Sequence, residues 1–253
     1  MRLYAWERYE PIEATKAGLA IAKHFGENCT IGTGRDGHSV SRFVRRCVVN
    51  GLVNYGSQVL DFRLVPSQVI RYGTVKQRLD GAVYVSYFKN EVQIHVYGKD
   101  GRNLSAEEHI KIRVASEGIE SASAIMADMG SLMQYTNGTD DYVDYLLSKV
   151  KDSVGGKWLI DTQGDPVSLV VESVFDKLHT EYRIYNPMFT SEGELKTREM
   201  FLQELRDGRF DHGVVVERDE LLGATYYHPT GGSVHYHSLE ELILSTLAGK
   251  HAS

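Results

Sequence analysis

The sequence predicts an α/β protein of two consecutive domains. Three observations carry that expectation. Short apolar, β-branched runs alternate with stretches of helical periodicity, as in strands joined by crossover helices. The alternation lapses at 126–138, where Gly130, Asn137 and Gly138 gather, and resumes from Thr139. The chain also has 253 residues, more than the roughly 100–200 of one ordinary domain. The expected domains are 1–133 and 134–253. At 42% hydrophobic and 25% charged, the composition supplies apolar side chains for two cores.

In the first half, Cys29–Gly34 is short, apolar and β-branched and runs into glycines, so it reads as a buried strand. Ser39 offers an N-cap, and Phe43, Cys47, Val48 and Leu52 recur at helical spacing up to Gly56. Gln58–Phe62 is a second strand, and Pro66 opens a helical stretch to Leu79. Ala82–Ser86 and Val92–Tyr97 follow as strands. Ser105 with Glu108 makes a capping box for a helix expected to reach about Ala127. In the second half the expected order is helix 142–150, strand 157–161, helix 166–178 and strand 182–185. Helix 194–205, strand 214–216, a hairpin over 224–237 and a final helix 239–247 complete it.

Composition excludes several classes of function. The net charge is −6 with no basic run, which argues against a protein that neutralises nucleic-acid phosphates. No segment approaches the ~20 apolar residues of a membrane span. The N-terminus has no apolar signal region, and Cys29 and Cys47 are the two cysteines. The expectation is a cytoplasmic protein with no nucleic-acid or membrane partner.

Gly32-Thr33-Gly34-Arg35-Asp36-Gly37 fits G-x-G-x-x-G between a strand and a helix, with Asp61 where a ribose-binding acid could stand. A nucleotide-binding module is therefore one alternative, although Arg35 and Asp36 are bulky for a pyrophosphate cradle.

Read together, Gly34-Arg35-Asp36, Asn50-Gly51-Leu52, Gln58-Val59-Leu60-Asp61, Leu64-Val65-Pro66-Ser67, Asp80-Gly81-Ala82-Val83 and Gly98–Ser105 carry a resemblance. Their order and spacing resemble the first domain of the phosphoglucomutase/phosphomannomutase (phosphohexomutase) family. Leu159-Ile160-Asp161-Thr162 and Asp211–Val215 are similar to its second. The resemblance implies two α/β/α domains with mixed, largely parallel sheets, the first two of the family's four. It also implies a transferable phosphoserine after the third strand, and magnesium on three aspartates.

At the phosphoserine position stands Phe88, in Ser86-Tyr87-Phe88-Lys89-Asn90-Glu91. A benzyl group cannot carry phosphate, and Ser86 lies two residues early. In the metal loop, Glu217-Arg218-Asp219-Glu220-Leu221-Leu222 keeps Glu217 and Asp219 as ligands for magnesium but has Leu221 in the third place. The expectation is a catalytically degenerate relative that binds a sugar phosphate, or serves as a scaffold or regulatory subunit. Arg35, His38, Ser41, Lys89 and Asn90 are the candidate ligand-binding residues around the 86–91 loop. An alternative is half of a mutase completed by a separate chain with the third and fourth domains. A homodimer covering the exposed cleft is a further expectation.

Two other groupings invite a role. His228, His235 and His237 fall on one face of the second-half hairpin if residues 229–232 form its turn, a set compatible with zinc or copper. Tyr4, Trp6 and Tyr9 could anchor an interface, with packing onto the first domain the favoured reading.

Overall fold

The computed structural model describes residues 2–7, 10–120, 128–150, 155–188, 195–218 and 223–246. The chain divides into two units, Met1–Gly138 and Thr139–Ser253.

The first unit runs β1 (Tyr4–Trp6), α1 (Pro11–Phe25), β2 (Thr30–Arg35), α2 (Ser39–Asn54), β3 (Gln58–Leu64) and α3 (Ser67–Lys76). It continues with β4 (Gly81–Phe88), β5 (Glu91–Gly98), α4 (Ala106–Glu117) and β6 (Leu132–Gln134). The sheet order is β1-β5-β4-β2-β3-β6. Its β4-β2-β3-β6 portion is parallel, while β4–β5 and β1–β5 pair antiparallel. Alternate residues of the strands face opposite layers. Ile31, Val83, Val85, Ile94 and Val96 pack in one core with Ala17, Ile21, Val48, Leu52 and Ile112 from α1, α2 and α4. On the other face, Gly32 and Gly34 lie under Ile70 of α3 and its flanking residues Val65 and Leu79. Tyr4 and Trp6 stack at 5.0 Å and pack against the first of these cores; Tyr9 lies outside the described residues.

Three elements of this unit, β1, α1 and β6, have no counterpart in the sequence expectation. The buried face of α1 is Ala14, Ala17, Gly18, Ala20, Ile21 and Ala22, and small residues do not stand out as an apolar stripe. They serve a close crossing: a Cβ on Gly18 would fall on the Val48 carbonyl oxygen, and one on Gly51 on that of Thr15. Strand β6 lies in the stretch read as patternless, and its three side chains are exposed. Helix α4 shows the expected Ser105–Glu108 capping box but stops at Glu117 rather than continuing toward Ala127. Residues 121–127 lie outside the described set.

The second unit contains α5 (Gly138–Leu147, starting on the last residue of the first unit), β7 (Lys157–Asp161), α6 (Val167–Lys177), β8 (Glu181–Ile184) and α7 (Arg198–Glu204). It ends with β9 (His212–Val216), β10 (Ala224–Tyr227), β11 (Ser233–Tyr236) and α8 (Leu239–Thr246). The sheet order is β11-β10-β9-β7-β8, with β9-β7-β8 parallel. Leu159, Tyr185, Phe201, Leu205 and Val215 form one core. Trp158 meets Phe175 edge-on at 5.5 Å and stacks on His212 at 4.2 Å.

Both sheets therefore share one plan, β5-β4-β2-β3 matching β10-β9-β7-β8. In each, the two strands that follow the central one lie on either side of it, the switch-point arrangement in which open α/β sheets take ligands beyond the central strand's carboxyl end. In the first unit that point is Arg35–His38. In the second it is Asp161–Asp165. No described helix is long and apolar enough to cross a membrane.

Candidate functional site

Asp36 organises the end of β2. Its side chain is 1% exposed. Oδ1 accepts from the His38 amide at 3.1 Å and Oδ2 from the Tyr87 amide at 2.7 Å, so one carboxylate ties β2, the start of α2 and β4 together. His38, rather than Ser39, is the N-cap of α2, its Nδ1 accepting from the Val40 amide at 3.3 Å. The His38 ring stacks on Tyr87 with centroids 3.9 Å apart and planes 10° apart. Arg35 is half-buried and donates from Nη1 to the Asp36 carbonyl at 2.6 Å. Burial, followed by the charge of Arg45, lowers its pKa.

The candidate residues thus fall into three environments. Arg35 and His38 share the crevice at the end of β2. Ser41 is fully buried in the first turn of α2, and its hydroxyl has no hydrogen-bond partner; it is a packed residue and not part of a ligand-facing mouth. Lys89 and Asn90 are exposed and form the two-residue turn of the β4–β5 hairpin, with φ of 52° and 62°. Phe88 pairs with Glu91 at the hairpin's end, and the Lys89 ammonium lies 5.1 Å from the Phe88 ring centroid. The segment 86–91 is therefore strand and tight turn, where an open loop was expected. Two successive left-handed residues match the right-handed twist of a hairpin. Ser86 sits within β4, its Oγ 3.4 Å from His95 Nε2.

The glycine motif has a different use from the one its pattern suggests. Gly32 and Gly34 are strand residues, and a Cβ on Gly32 would meet Leu79 at 2.9 Å and Ile70 at 3.3 Å. They make room for the α3 layer. Asp61 is 4% exposed and already engaged, accepting from Arg45 Nη1 at 2.7 Å and from the Arg63 amide at 2.8 Å. It is not held open for a ribose.

In the second unit, Glu217 follows β9, and its carboxylate is shared between two donors. Oε2 accepts from Gln163 Nε2 at 2.7 Å and Oε1 from Arg198 Nη2 at 2.8 Å. Arg198 also donates to the Tyr227 hydroxyl at 2.9 Å. Burial alone lowers the Arg198 pKa, but the hydrogen bond and charge of Glu217 outweigh it and raise the value. With both oxygens committed and a guanidinium beside them, this carboxylate does not suit magnesium. Asp219 lies outside the described residues. Nearby Asp161 accepts from Asn186 Nδ2 at 2.8 Å and from the Gln163 amide at 2.9 Å, and burial raises its pKa.

The three histidines do not converge. The hairpin pairs Thr225 with His235 and Tyr227 with Ser233, one residue out of the expected register. That slip moves His228 off the face of His235. His228 Nδ1 bonds the Thr230 hydroxyl at 2.6 Å and His235 Nδ1 the Thr225 hydroxyl at 3.2 Å. Among the described residues no group of three or more metal-ligating side chains is present.

Comparison with known proteins agrees with this architecture. Residues 4–123 match the model of the phosphoglucomutase/phosphomannomutase alpha/beta/alpha domain I. A phosphoglucosamine mutase of Thermoanaerobacter sp. (strain X514) is 27% identical over 174 residues, which cover 67% of this chain and 39% of that protein. A phosphopentomutase of Thermococcus kodakarensis is 26% identical over 170 residues, 65% of this chain and 36% of that one. Among solved structures, a phosphoglucomutase/phosphomannomutase family protein from Burkholderia thailandensis superposes with a TM-score of 0.74 at 15% identity. That match covers 89% of this chain and 52% of the other. Parafusin from Paramecium gives 0.64 at 9%, covering 87% and 50%. The chain spans about two fifths of the length of these two curated relatives. The first unit therefore carries the phosphoglucomutase/phosphomannomutase alpha/beta/alpha domain I, and the fold of the chain is similar to that of the family's solved structures.

Proposed function

We propose that this protein binds a phosphorylated sugar without isomerising it. The observation that carries the reading is the β4–β5 connection, where Phe88 closes a two-residue turn. Phosphoryl transfer needs a hydroxyl presented to the substrate beside cations that offset charge. At this turn the side chains are a benzyl group, an ammonium and an amide. Ser86, two residues before Phe88, is a strand residue beside His95, and a nucleophile misplaced by even about 1 Å can lose some 10²-fold in rate.

Binding rests on the crevice at the end of β2. Arg35 brings a guanidinium, His38 an imidazole stacked on Tyr87, and α2, 16 residues long, points its amino terminus there. The family's magnesium would fall to Glu217 and Asp219, and the Glu217 oxygens are held by Gln163 and Arg198. No step is assigned to the metal.

The test is incubation with glucosamine 1-phosphate or glucose 1-phosphate, with magnesium and a hexose bisphosphate, followed by product assay and intact-mass analysis. The expected outcome is no interconversion and no protein-bound phosphate. Saturable binding of the hexose phosphate should weaken at least tenfold in Arg35→Gln. Turnover that disappears in Ser86→Ala would overturn the reading.

A further inference from the structure

A separate basic groove lies between α2 and the β3–β6 edge of the first unit. It has a volume of about 460 Å³, and its polar lining is Arg45, Arg46, Asn50, Asp61, Arg63 and Gln134. That size suits a small molecule. Asp61 is the one acid among these six, and Arg45 occupies its Oδ1 at 2.7 Å. Arg46 and Arg63 are exposed and form no ion pair among the described residues. In a chain of net charge −6, the groove therefore carries two uncompensated guanidinium groups.

The backbone gives a second, independent observation. Arg63 has a φ of 63° although it lies inside β3. The register with β2 shifts there, Thr33 opposing Asp61 and Gly34 opposing Arg63, so Phe62 is the extra residue of a bulge. The Arg63 amide is pinned to Asp61 Oδ1 at 2.8 Å. A long side chain in left-handed backbone within a strand is a strained arrangement, and bulges re-aim side chains at binding sites.

We propose that this groove binds a phosphorylated small molecule, with Arg46 and Arg63 forking the phosphate and the Asn50 and Gln134 amides meeting hydroxyl groups of its body. Arg45, committed to Asp61, adds fixed positive charge. Guanidinium groups match phosphate oxygens bidentately. A polyanionic nucleic acid fits less well, because the rest of the chain repels it.

The experiment is titration of the intact chain with glucose 6-phosphate and, separately, inorganic phosphate, followed by calorimetry and amide chemical shifts. The expected result is saturable binding of the sugar phosphate with shifts at Asn50 and Arg63, at least tenfold tighter than inorganic phosphate. Arg46→Gln and Arg63→Gln should each weaken it tenfold or more. Both residues are exposed, so the variants should fold, which the amide spectrum verifies. Lys89→Gln, at the hairpin tip, should leave this binding unchanged. No saturable binding, equal affinity for the two anions, or insensitivity to both arginine substitutions overturns the proposal. Loss in Arg35→Gln alone would assign the ligand to the end of β2 instead.

Discussion

A carboxylate 1% exposed that accepts two backbone amides is tied to the fold through desolvation, and Asp36 is in that position. Removing it leaves the His38 and Tyr87 amides without their acceptor. Asp36→Ala should therefore destabilise the first unit by about 2–3 kcal/mol, read from urea unfolding. Ser41 is the converse case. Its buried hydroxyl has no partner, so Ser41→Ala should hold stability or raise it by up to about 1 kcal/mol; a loss above that size would show that the hydroxyl is used.

The histidines set the acid limit. His109 is 2% exposed on α4, and burial lowers its pKa; burial also lowers that of His212. The unfolded chain takes these protons near pH 6.5 while the folded chain resists them. Below about pH 6.5 the unfolded state binds more protons, so stability falls as pH falls. Urea midpoints should drop between pH 7.5 and 5.5, and His109→Phe should reduce that drop. At this scale the sequence was legible for the capping box, where the partner lies three residues away. It was not legible for Asp36, whose second amide donor, Tyr87, is 51 residues distant.

Elements are governed by close approach. Helices α1 and α2 cross at Gly18 and Gly51, each facing a carbonyl oxygen of the other helix or its backbone. Gly18→Ala improves helix propensity by about 1 kcal/mol, yet the new methyl group overlaps backbone. The variant should lose about 2 kcal/mol or more net, seen as a lowered Tm. Strand β3 offers the opposite test: Arg63→Gly relieves left-handed strain and should raise stability by about 1 kcal/mol while abolishing ligand binding in the groove. The groove was not read from the sequence: Arg45 and Arg46 are neighbours on α2, and their meeting with Arg63 depends on the bulge at Phe62.

Across the whole molecule, each unit has its own sheet and its own core. Residues 1–138 expressed alone should give a dispersed amide spectrum and a single cooperative unfolding transition. A collapsed spectrum would show that the first core depends on the second unit. The sequence by itself determined the alternation of strands and helices, and hence the α/β class, because those patterns repeat over two to four residues along one chain. It ended the strand from Ala82 at Ser86 and left Phe88 in a loop, whereas the structure extends β4 to Phe88. Tertiary structure alone decided that Gly32 and Gly34 admit α3, that the second-unit hairpin pairs one residue away from the register that would gather His228, His235 and His237, and that Arg45 and Arg46 of α2 share a groove with Arg63 of β3. Each of those outcomes depends on which distant strand lies opposite and in what register. A slip of one residue there turns a side chain to the other face, and nothing in its neighbours along the chain records the difference.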